Sequence, residues 1–140
     1  RDTDRSRGLG DVYKRQALIY IFRPSKLAVD LSDEYACKLL ESQGYHSHDA
    51  ARCIRELRHR LKDSTEFPHE IGLFLGYPPE DVRGFILHKG NCCKYSGCWK
   101  VYGNEEKAAK EFAKFKKCSD IYYSKWLQGT PIQKLTVACN

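Results

Sequence analysis

No run of apolar residues in this sequence approaches the roughly 20 that a membrane-spanning helix needs, so no span is expected. No apolar central region follows the charges at its start, which speaks against a secretory signal there. There is no internal repeat and no low-complexity tract, which excludes solenoid and fibrous architectures. Charge of one sign is also scarce. The net charge of +6 falls to +4 once the five basic and three acidic residues of positions 1–16 are set aside, as argued next. An excess that small belongs to ordinary solubility and is no footprint of nucleic acid.

Residues 1–16, RDTDRSRGLGDVYKRQ, have no apolar period, no strand run and no helix stop. Asp11 to Gln16 back-translate to GAT GTG TAT AAG AGA CAG, which resembles a transposon-end adapter of sequencing libraries. Ser6 to Gly10 match the adjoining primer in the same frame. This tail is therefore expected to be non-native, and the native chain to be incomplete at its N-terminus. The remaining 124 residues, 17–140, suit one domain able to bury a core without staples. Apolar content of 41% and aromatic content of 12% exclude disorder. The seven cysteines, an odd number with no secretion signal, point to free thiols in a reducing, cytoplasmic compartment.

Ala17–Arg23, ALIYIFR, is a continuous apolar run closed by Pro24 and is expected to be a strand. A helix follows, with Ser32 as N-cap and Gly44 as its left-handed stop. A second spans about Asp49 to Leu61. EIGLFLG, Glu70 to Gly76, alternates and predicts a central strand entered at Pro68-His69-Glu70. Tyr77-Pro78-Pro79-Glu80-Asp81 opens another helix, ended by Gly90. CWKVY, Cys98 to Tyr102, predicts a third short strand. Asn104 then caps a helix to Leu127, with Ala108, Phe112, Phe115, Tyr122 and Trp126 as its buried stripe. A short terminal helix restarts after Pro131. The expected class is α+β: about three short strands and about five helices.

FPHEIGLFLGYPPEDVRGFI and KYSGCWKVYG together resemble an uncharacterised bacterial family, known as domain of unknown function 3793, from Ala17 to Ala138. Cys98 stands where the family pattern has tyrosine before Trp99. The resemblance implies a bacterial cytosolic protein with a further N-terminal segment. It supplies no activity and no cofactor.

Candidate chemistry gathers at the two motifs. His69 could serve as general acid or base, Glu70 as its orienter and Lys100 as an electrostatic stabiliser. Tyr77, Trp99 and Tyr102 could line a ligand site. This cleft presupposes that the predicted strands are neighbours. Set beside it, Glu70 could simply meet an arginine at the strand mouth. A zinc helix is excluded, since position 73 is Leu where a second histidine is required. His88, Cys92, Cys93 and Cys98 offer soft metal ligands in one loop, but without the spacing of paired C-x-x-C. The lysines of the last long helix, interrupted by Glu105, Glu106 and Glu111, read as a solvated face rather than a nucleic-acid surface. Three functions follow: a module binding a small molecule or protein partner, an enzyme built on His69, Glu70 and Lys100, and a Cys/His metal protein.

Overall fold

Helix ends form where side chains or left-handed residues take up the backbone groups a helix leaves open, and most such points here sit where local chemistry puts them. A computed structural model describes residues 17–46 and 48–136. Its elements are α1 (Pro24–Ser32), α2 (Glu34–Ser42), α3 (Ala50–Asp63), α4 (Ile71–Phe74), α5 (Pro79–His88), β1 (Tyr95–Ser96), β2 (Lys100–Val101), α6 (Glu105–Leu127) and α7 (Ile132–Leu135). The strands pair antiparallel, Tyr95 opposite Val101 and Ser96 opposite Lys100. The fold is α+β and helix-dominated. Residues 1–16 and Cys139, on which two sequence readings rest, lie outside the described residues.

Asn104 accepts from the Lys107 backbone N–H and caps α6 as expected, and Asp49, the expected start of its helix, accepts from that of Arg52 and caps α3. Gly44, at φ +88°, closes α2, and the Tyr45 N–H reaches back to the Leu40 carbonyl. Gly90, at φ +77°, likewise follows α5. The cap of α2 is Asp33, which accepts from Tyr35 and Ala36, rather than Ser32, which ends α1.

Two expected strands are absent. Ala17–Arg23 carries no regular structure, and Leu18, Ile19 and Ile21 are exposed. Tyr20 ties this segment down by donating its hydroxyl to the Phe74 carbonyl. Pro24 starts a helix instead of ending a strand, because proline fits the first helical position. EIGLFLG is also not a strand: Ile71–Phe74 makes one helical turn, and Gly76 at φ +79° reverses the chain after it. A short apolar run of this length does not tell helix from strand by its periodicity. Leu73 and Phe74 enter the core on that turn, and Gly72 lets it lie against Val82.

The core joins Leu27 and Leu31 of α1, Ala36, Leu39 and Leu40 of α2, Cys53 and Leu57 of α3, and Val82 of α5, with Tyr45, Leu73 and Phe74. The helix α1 is its hub, packing on α2, α3 and α4. The sheet is carried by α5 through β2. Gly84 makes that seam possible, since a Cβ there would stand 2.3 Å from Tyr102 Cγ. Gly84→Ala is therefore expected to cost about 1–3 kcal/mol by overpacking, read as a lowered urea midpoint at unchanged slope; an unaltered midpoint would refute this account of the seam.

Candidate functional site

Glu70 and Asp81 are the buried acids of the sequence motifs, and both have partners within the fold. Asp81, 3% exposed, sits in the first turn of α5. Its Oδ1 accepts from the backbone N–H groups of Tyr102 and Gly103, each at 2.9 Å. Its Oδ2 accepts from Trp99 Nε1 at 2.8 Å. One carboxylate thus fastens the hairpin to the helix. A buried charge demands such compensation, and the positive end of α5 adds to it. Sequence reasoning placed Asp81 at that helix end for its charge and missed its role. The signal was an acid shortly before a tryptophan and two glycines that need close approach.

Glu70, also 3% exposed, accepts from the Tyr45 hydroxyl at 3.0 Å. Arg60 Nη1 lies 3.7 Å from the same oxygen, and its guanidinium covers the Tyr45 ring at 4.5 Å. Burial, then the neighbouring Glu70 charge, raise the Tyr45 hydroxyl far above its ordinary pKa, so it remains a donor. The arginine expected to meet Glu70 is Arg60.

His69 lies between rings, its centroid 4.9 Å from Phe85 and 5.5 Å from Phe67. Burial holds its imidazole below the ordinary value, against the raising pull of Glu70 and Glu66. Lys100 Nζ is 5.8 Å from the centre of that same Phe85 ring and donates to the Gly90 carbonyl at 2.7 Å. The structure thus brings His69 and Lys100 to one phenylalanine, while Glu70 engages Tyr45 and Arg60.

Tyr77 stacks on Trp99 at 4.9 Å, and Trp99 meets Phe112 edge-on at 4.6 Å. Tyr102 stacks on His88 and donates its hydroxyl to the Asn91 carbonyl at 2.8 Å. Burial raises the Tyr77 and Tyr102 hydroxyls. Cys92 has a left-handed backbone, φ +58°, in an exposed turn. Among the described residues no three His, Cys, Asp or Glu side chains are grouped to hold a metal. Nor is any described helix long and apolar enough to cross a membrane.

Two cavities stand out, one away from these residues and one beside Tyr45. A shallow furrow of about 600 Å³ follows one side of α6, along Lys116, Asp120, Ile121 and Ser124. A smaller one of about 220 Å³ is lined by Tyr45, His46, Arg52, Cys53 and Glu56.

The expected buried stripe of α6 is divided. Ala108 is buried, and Phe112 and Phe115 pack on Trp99. Beyond them Tyr123 is 65%, Trp126 53% and Leu127 68% exposed, with Ile121 and Tyr122 also at the surface. The distal part of the helix packs on α7. At 1.5 Å per residue, Phe115 to Leu127 covers about 18 Å.

Asp81→Asn should turn a donor toward the Trp99 N–H and cost about 2 kcal/mol in chemical unfolding, whereas exposed Glu80→Gln should be neutral; equal effects would deny the hub. For His69 the folded chain favours the neutral imidazole. Stability should be full above the ordinary histidine pKa of about 6.5 and fall as pH drops through the lowered folded value. His69→Gln should flatten that slope, and a slope as steep as the parent's would show that other groups cause it.

A family described as Protein of unknown function (DUF3793) matches residues 10–136. The chain belongs to that family. No curated protein and no solved structure matches it.

Proposed function

We propose that this member of the DUF3793 family is a partner-binding module, and that the distal half of α6 is its contact surface. The observation carrying this is the divided stripe. One face of one helix is packed on the domain at Ala108 and Phe112, then continues through Tyr122, Tyr123 and Trp126 into solvent. A contiguous exposed aromatic patch on a rigid element marks an interaction site, and Trp and Tyr dominate binding hot spots. The polar groups of the two motifs support the same reading. Asp81, Glu70, the Trp99 N–H and the Tyr102 hydroxyl are all engaged within the fold. Tyr77, Trp99 and Tyr102 then act as support for α6 rather than as a ligand cradle. Cys37, Cys53, Cys92, Cys93, Cys98 and Cys118, present as thiols, suit a reducing bacterial cytoplasm.

A second reading draws on the meeting of His69 and Lys100 at Phe85. There a neutral imidazole could take a proton while the ammonium stabilises charge. Glu70, held by Tyr45, would enter only through its field.

The test is a photo-crosslinking residue, p-benzoyl-phenylalanine, placed at Tyr123 and, as control, at exposed Val29 of α1, in the organism that encodes the chain. One discrete product is expected from Tyr123 and none from Val29. Trp126→Ala should lower its yield about thirtyfold, as for a hot spot of about 2 kcal/mol. Similar products from both positions, or none, would end the reading.

A further inference from the structure

Resting on that reading, we infer that the occupant of the α6 face is a protein with an apolar groove whose rim carries carboxylates. Two observations on the distal half lead there.

The first is the spacing of its aromatic anchors. At 3.6 residues per turn, Tyr122, Trp126 and Tyr123 line up within roughly 100° of the helix, at i, i+4 and i, i+3 spacing, with Leu127 beyond one edge, and all four are exposed. A helix with anchors at this spacing is taken up by an apolar groove in a partner protein.

The second is charge. Residues 113–128 hold Lys114, Lys116, Lys117 and Lys125 against the single acid Asp120. Asp120 pairs with Lys116 at 2.8 Å. Lys114, Lys117 and Lys125 leave this part of the helix net positive. Lys116 lies on one flank of the aromatic stripe, and Lys114 and Lys125 on the other. Carboxylates along both lips of a groove would complement them and speed encounter. A second copy of this chain would bring two net-positive helix ends together, which disfavours self-pairing on this face.

The experiment uses the full chain with the crosslinker at Tyr123. The variant Lys114→Glu/Lys117→Glu/Lys125→Glu should cut the product about tenfold, through lost steering and rim repulsion, while the matching Lys→Arg variant should retain it. Circular dichroism of each variant should match the parent, since all three lysines are exposed. If the glutamate variant crosslinks like the parent while Trp126→Ala does not, the acidic rim is wrong and the binding face stands. If neither substitution changes the yield, both fall. A product of twice the chain mass, with a dimer by sedimentation, would instead name a second copy. Sedimentation of the purified chain with phosphatidylserine/phosphatidylcholine vesicles, but not with phosphatidylcholine alone, would name a membrane. Either result overturns the inference.

Discussion

A buried carboxylate with three N–H donors around it organises the C-terminal half of this molecule. Asp81 cannot be ionised in the interior without partners, and its partners come from three places in the hairpin: the Trp99 indole and the backbone at Tyr102 and Gly103. Meeting that requirement fixes the hairpin's height and tilt on α5. It brings Tyr102 onto Gly84 and sets the Trp99 ring upright between Tyr77 and Phe112. The ring is then the platform on which α6 lands. The direction in which that helix leaves the domain is thus a consequence of one acid's hydrogen bonds.

Glu70 applies the same rule to the N-terminal half. It accepts from Tyr45, just past the end of α2, and lies beside Arg60 of α3. Between those helices, residues 43–46 and 48–49 carry no helix or strand. Arg60 meets Glu56 at 3.0 Å and covers the Tyr45 ring, so charge, hydrogen bond and ring contact share one small region. Removing one member would strand the others, because a buried polar group without a partner costs more than a made bond contributes. Both acids, Glu70 and Asp81, lie in the first sequence motif, and the observed partners of each are parts of the fold.

What was legible in the sequence follows the range of the forces involved. Asp49, Asn104, Gly44 and Gly90 act within four residues, and all four hold the ends they were expected to hold. The α+β class, the hairpin strand at Lys100–Val101 and the arginine for Glu70 were legible too. EIGLFLG was not, because so short an apolar run fits helix and strand alike; the turn is set by packing, with Val82 and Tyr77 against Gly72. Pro24–Ser32 was missed for a related reason. Leu27 and Leu31 are a helical pair, but their burial depends on α2, α3 and α4 arriving from later in the chain. In α6 the pattern located the apolar face but not the point where the domain beneath it ends.

That last gap has physical content. An apolar stripe states what a helix can bury, and only the tertiary structure states how much of it is buried. In α6 the stripe outlasts the platform by about three turns, yet the helix continues to Leu127. Its persistence needs local support, since tertiary packing usually carries helices of this length. The Asn104 cap, the acids Glu105 and Glu106 in the first turn and the pairs Glu106–Lys110 and Lys116–Asp120 supply it. A helix supported by its own side chains and by α7 presents Tyr122, Tyr123 and Trp126 at helical spacing. The partner proposed above would meet aromatic anchors whose backbone is already ordered, so little conformational entropy would remain to be lost on binding. The same acid that sets Trp99 upright thereby aims this surface, and on the reading proposed above a buried hydrogen-bond hub would govern recognition at the far end of the helix.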